Sequence, residues 1–233
     1  MTYSDKYDEL FRSADELSEY AANQLSEFFL QRFSGDLDDL FPELKEAFPK
    51  TFAAIQFEFG APTIGVKTIS GRRKVDLLFQ GKEQCLVGDL YTRQFYDLYD
   101  FAECYKMLPE AIRPYYQVTE GLQVVADDGY PSLAWKGLPL SRIGRRSMSE
   151  AAEFLQLDSD YFDGIPAPPN SKVWVMSDSD LIILDEDSGQ FFHSFIAQAD
   201  DVYELQEPAD LWDDYCGFFL RHGPGTAFQF RKP

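Results

Sequence analysis

Residues 52 to 91 run in short β-branched and aromatic stretches cut by glycine, between segments whose apolar residues recur every three or four positions. A strand exposes one face with a period of two and a helix with a period of about 3.6, so this chain must contain both. The runs Ala54–Phe59, Thr63–Ile69, Val75–Phe79 and Gln84–Tyr91 predict strands, broken at Gly60, Gly71 and Gly81-Lys82. Upstream, Leu10, Ala14, Leu17, Ala21, Leu25 and Phe28 share one helical face, Ser13 and Glu16 offer a capping box inside that run and with it a break near Ser13, and Gly35 is the expected stop. A second helix is expected from Pro42 to Phe48, because proline is harmless at a first helical position.

Downstream, Arg93–Leu108 returns to helical spacing through Phe95, Leu98, Phe101, Tyr105 and Leu108. Tyr115–Val118, Leu122–Ala126 and Ser132–Trp135 predict weaker strands, and Ser147 with Glu150 caps a helix through Leu157. Lys172–Met176, Leu181–Leu184 and Gln190–Ala197 follow with connections short enough for an antiparallel meander. The Asp185–Gly189 turn places glycine where a left-handed residue is wanted. A last helix is expected from Pro208 to Leu220, with Leu211, Tyr215 and Phe218 inward and Asp210, Asp213 and Asp214 near its positive end. Strands grouped between helices, without regular βαβ alternation, predict an α+β fold of antiparallel meander sheets packed with N-terminal, central and C-terminal helices. The 233 residues are expected to form a single domain, with a loop or boundary at 158–171 where Gly164, Pro166, Pro168 and Pro169 gather.

Charge divides the chain more sharply than structure does. Residues 1–50 hold twelve acids and five bases, and residues 51–156 hold thirteen acids and twelve bases. Residues 157–215 hold fifteen acids against one base, Lys172. Such a field repels nucleic acid and anionic membrane and attracts basic proteins. Aromatic residues make up 16% of the chain, an apolar area that must be buried in the core or against a partner. No apolar run reaches the roughly 18 residues of a membrane helix, and the N-terminus lacks the pattern of a secretory signal. Cys85, Cys104 and Cys216 are odd in number and scattered, so they predict core thiols rather than a disulfide framework. The expected location is the cytoplasm.

Motifs for catalysis are missing. His193 lies in a predicted strand, where a packed or surface role is expected, and His222 follows the last helix as a useful C-terminal cation. There is no G-x-S-x-G elbow, P-loop, G-x-G-x-x-G, C-x-x-C or H-E-x-x-H, so neither a cofactor nor a zinc site is expected. Asp185-Glu186-Asp187-Ser188-Gly189 alternates carboxylates as calcium loops do, but its glycine stands at position five and no acid stands at twelve. Asp158–Gly164 has unsuitable spacing too. The basic groups, Arg72-Arg73-Lys74 and Arg142 with Arg145-Arg146, are expected to pair with the chain's own surplus acids or with a neighbouring subunit.

The segment Leu181–Phe192, a strand, an acidic turn ending Ser-Gly and a second strand, followed by acids and the helix Ala209–Tyr215, resembles the C-terminal half of the SUKH superfamily of bacterial toxin-immunity proteins. Phe41-Pro42-Glu43-Leu44-Lys45 is similar to that family's Leu-Pro helix opening, with Phe41 in place of leucine. The resemblance covers about a third of the chain. It implies an α+β fold that binds and blocks a cognate toxin, often a nuclease. Together with the charge it predicts a non-enzymatic immunity or inhibitor protein. Its acidic face would be Asp178, Asp180, Asp185, Glu186, Asp187, Asp200, Asp201, Asp213 and Asp214, with aromatic anchors Trp174, Tyr203 and Trp212. The alternatives are a carboxylate-dependent or metal-assisted hydrolase, a DNA mimic and a scaffold subunit.

Overall fold

The structure, a computed structural model, describes residues 3–82, 84–91, 105–106, 110–126, 136–137, 171–176, 180–185, 187–195, 198–205 and 208–222. The N-terminal stretch is not one long helix. It runs as a 3-10 turn (Tyr3–Lys6), strand β1 (Glu9–Phe11), a second 3-10 turn (Ala14–Glu16), and helices α1 (Glu19–Gln24) and α2 (Glu27–Arg32). Serine hydroxyls start both helices: Ser18 accepts from the Ala21 N–H at 3.4 Å and Ser26 from the Phe29 N–H at 3.2 Å. Ala21, Leu25 and Phe29 nevertheless stay buried on a common side, which is why a single period runs through the break. The expected capping box at Ser13 does not form; Ser13 makes no side-chain cap and Glu16 instead accepts from the Arg12 N–H. Gly35, at φ +88°, turns the chain into α3 (Leu37–Leu40), where Asp36 caps the Asp38 N–H.

Helices α4 (Pro42–Ala47) and α5 (Pro49–Glu58) each begin on proline. The first was expected. The second takes most of the expected strand Ala54–Phe59, and β2 begins only at Phe59. Alternation of apolar and polar residues misleads there: Thr51, Phe52, Ala54 and Ile55 are buried at helical spacing while Phe57 is 80% exposed.

Strands β2 (Phe59–Ile69), β3 (Arg72–Gly81), β4 (Gln84–Leu90) and β5 (Thr119–Ala126) join β1 in an antiparallel sheet ordered β1-β2-β3-β4-β5. The expected strand Tyr115–Val118 is instead the end of a 3-10 helix, Glu110–Tyr116 with Pro114 inside it, and the turn of Gln117 and Val118 that follows. One face of the sheet (Ile64, Val66, Val75, Leu77, Phe79, Leu86, Leu122 and Val124) enters the main core. The other carries a smaller apolar cluster of Tyr7, Leu78, Cys85, Val87 and Val125.

The second antiparallel sheet runs β10-β9-β8-β7-β6, from β6 (Lys136–Gly137), β7 (Ser171–Met176), β8 (Asp180–Asp185), β9 (Phe191–Phe195) and β10 (Gln198–Leu205). Strand β10 is absent from the sequence reading because its acids, Asp200 and Asp201, fall in a bulge between Gln198 and Val202. The last helix, α6 (Pro208–His222), packs along α5, and a Cβ on Gly217 would stand 3.0 Å from Lys50. Ile183, Leu184 and Phe191 from the second sheet and Cys216 and Leu220 from α6 join one core with the first sheet and α2 to α5. The fold is α+β. The expected helices Arg93–Leu108 (but for 105–106) and Ser147–Leu157, the strand Ser132–Trp135, the loop at 158–170 and the Arg142–Arg146 cluster lie outside the described residues.

Candidate functional site

The acidic turn between β8 and β9 is held by its own first carboxylate. Asp185, 6% exposed, accepts from the N–H groups of Asp187 and Ser188, each at 3.3 Å, and from the Ser188 hydroxyl. The Ser188 hydroxyl, more than its opposing burial, then the two N–H groups, lowers the carboxyl's pKa below the ordinary carboxylate range. The Gly189 N–H closes the turn on the Asp185 carbonyl at 2.8 Å, with Gly189 at φ +71°. Asp187 is exposed. Of the described acids in this turn, only Asp187 is presented to solvent.

Asp213 is also committed to the fold. It is 4% exposed, and its carboxylate accepts from the backbone N–H groups of Lys50 at 2.9 Å and Thr51 at 2.7 Å. These are orphan donors at the start of α5, so a residue of α6 caps a different helix. The neighbouring Asp214 pairs with the Lys50 ammonium, which raises the Lys50 pKa.

Register places three further predicted residues at the opposite end of the second sheet. Asp180 stands across from Phe195, and Asp200 and Asp201 occupy the bulge between Gln198, also across from Phe195, and Val202, across from Ser194. The length of β8, five steps at about 3.3 Å, separates this end from the Asp185 turn by roughly 17 Å. Along β8 the described acids are thus divided between its two ends. Trp174 sits at a bulge in β7, Tyr203 is half-buried across from His193, and Trp212 lies in α6. Asp178 and Glu186 lie outside the described residues. His193 is 1% exposed and packed within β9.

A charged group that no motif indicated lies on the outer face of the first sheet. Asp76, fully buried on β3, meets the Lys67 ammonium at 2.7 Å and the Lys74 ammonium at 2.9 Å. The Tyr7 hydroxyl donates to it at 2.8 Å and accepts from Lys67 at 3.0 Å. Lys74 also reaches Asp89 at 2.8 Å. Burial opposes the charge on Asp76, but Lys74 and Lys67 outweigh it and hold its pKa below the ordinary range. Burial likewise opposes the charge on Lys74, and Asp76 with Asp89 raises its pKa. With Arg73 paired to Glu9, two members of the Arg72-Arg73-Lys74 group meet the chain's own acids, as expected. The sequence signal was a lone aspartate in Lys74-Val75-Asp76-Leu77-Leu78-Phe79.

Among the described residues no three His, Cys, Asp or Glu side chains converge as a metal site, and no helix is long and apolar enough to cross a membrane. Comparison with family models, with curated proteins and with solved structures finds no match for the chain.

Proposed function

We propose that this chain is an acidic inhibitor-type binding protein, an immunity protein that occludes a basic, nuclease-type toxin. The observation that carries this reading is the unequal treatment of charge along the chain. In the first sheet, Asp76 and Asp89 are answered by lysines on the same face. Residues 157–215 contain fifteen acids and one base of their own, Lys172, and Lys50 reaches in to Asp214, so most of their field is available to an external cation. Within that stretch Asp185 and Asp213 are occupied by backbone donors, and we assign the contact to the end bearing Asp180, Asp200 and Asp201, where three acids gather. Charge then governs approach, and apolar burial governs residence.

The test is capture from lysate at low and high salt, followed by association kinetics with the recovered protein. The expected partner is basic, and its association rate falls steeply with ionic strength. An Asp180→Asn/Asp200→Asn/Asp201→Asn chain is expected to associate at least about tenfold more slowly at low salt. A specific partner whose association rate ignores both salt and these substitutions would sink the reading.

A further inference from the structure

The N-terminal segment crosses the outer face of the first sheet as a narrow band. The 3-10 turn Tyr3–Lys6 packs on β3 and β4, and β1 pairs only with β2 in the sheet order. Among residues 4–10, Tyr7 alone is buried, and the others are half-buried or exposed. Its ring lies where the sheet has made room for it: a Cβ on Gly65 would fall 2.5 Å from Tyr7 Cδ1 and 2.6 Å from a Leu78 methyl. Tyr7 completes the small cluster of Leu78, Cys85, Val87 and Val125, and its hydroxyl reaches the buried Asp76. Further ties include the Asp8 N–H to the Val66 carbonyl, the Thr68 hydroxyl to Asp8, Arg73 to Glu9 and the pairing of Glu9 and Leu10, on the edge strand, with Val66 and Gly65. Phe11, at the end of β1, packs against the separate main core, and Ala14 is fastened to the Phe33 carbonyl.

We propose that residues 3–10 are a releasable strap, hinged at Phe11 in β1 and latched by Tyr7, which opens as a unit while the rest of the fold stays closed. Two features make opening local. Strands β2 to β5 keep all their own pairings when the strap leaves, because β1 is at the sheet's end. Asp76 is not stranded either: Lys67 and Lys74 remain beside it, so the carboxylate exchanges the Tyr7 hydroxyl for water while retaining both cations. Segments held by few buried contacts open at lower free energy than the core beneath them. Opening uncovers a slot with Gly65 as its floor, Leu78 as a wall and the Lys67–Asp76 pair at its polar end.

Two buried thiols outside any disulfide report on the two kinds of opening. Cys85 belongs to the cluster that Tyr7 completes, whereas Cys216 belongs to the main core. In a Cys104→Ser background, alkylation under native conditions, read peptide by peptide by mass spectrometry, is expected to modify Cys85 at least about tenfold faster than Cys216. Tyr7→Ala should accelerate Cys85 further and leave Cys216 unchanged. Tyr7→Phe, which keeps the ring and removes the hydroxyl, should give a smaller acceleration of Cys85 alone. Equal labelling of the two thiols in the parent chain, or parallel acceleration of both in the variants, would show that the segment opens only with global unfolding. A Tyr7→Ala chain that fails to fold would overturn the strap in the same way.

Discussion

The two sheets solve the same problem, an aspartate removed from water, by different means. In the first, Asp76 is buried among cations, with Lys67 and Lys74 within 2.9 Å and Asp89 sharing Lys74. In the second sheet and its helix, Asp185 is buried against two backbone N–H groups and the Ser188 hydroxyl, and Asp213 against the backbone N–H groups of Lys50 and Thr51 rather than against a side-chain cation. Cationic neutralisation removes charge from the surface. Neutralisation by amide dipoles fixes a carboxylate while leaving its formal charge in the field of the molecule. One chain thereby keeps a balanced sheet and a strongly negative one.

The largest effect expected from breaking this contrast is at Asp76. Asp76→Ala leaves Lys67 and the Tyr7 hydroxyl without their shared acceptor and should destabilise the protein by about 3–5 kcal/mol in denaturant unfolding. The pH dependence has a definite sign. Because the folded-state pKa of Asp76 is lowered, its contribution is fully present above the unfolded value of about 3.9 and is lost as pH falls through the folded value. Stability measured downward from about pH 5 should therefore fall less steeply in Asp76→Asn than in the parent chain. An unchanged slope would mean that the lysines contribute little to the carboxylate's ionisation.

A smaller loss is expected at Asp213. Asp213→Ala exposes two N–H donors at the start of α5 and should cost about 1–3 kcal/mol. Hydrogen exchange at Lys50 and Thr51 should accelerate before that of the sheets. The smallest effects sharpen the comparison at the two hairpin turns. Gly71 and Gly189 have φ of +78° and +71°, and a Cβ at either meets nothing within 4 Å. Gly71→Ala and Gly189→Ala should each cost about 1 kcal/mol from backbone conformation alone, with matching shifts in unfolding midpoint. A much larger loss at Gly189 would show that the Asp185 turn contributes more than its local geometry.

The hairpins were legible because glycine and alternation act within a few residues. Thr63–Ile69, Val75–Phe79 and Leu181–Leu184 fall within observed strands, and α6 begins where Pro208 was expected to begin it. Sequence reasoning failed where a local signal had two outcomes. Ala54–Phe59 alternates like a strand, but Pro49 and the burial of Phe52 and Ile55 commit it to a helix. Ser18 and Ser26 interrupt a helix whose apolar period continues through them. The acidic residues were harder still. Composition showed their excess, but whether Asp213 faces a partner or a helix end depends on a segment more than a hundred residues away. The role of Tyr7 likewise depends on Gly65 and Asp76, which local patterning does not connect to it.

The bond from the Thr51 N–H to Asp213 spans 162 positions of sequence. On a ribosome adding about 5–20 residues per second, α5 emerges on the order of ten seconds before the carboxylate that finishes it. By then every described strand, from β1 to β10, has been synthesised, so the sheets precede the completion of α5. Emergence of α6 thus acts as a late assembly step, when it docks and the start of α5 acquires its acceptor. A nascent chain stopped before residue 213 lacks that closure, however well its first hairpins have formed.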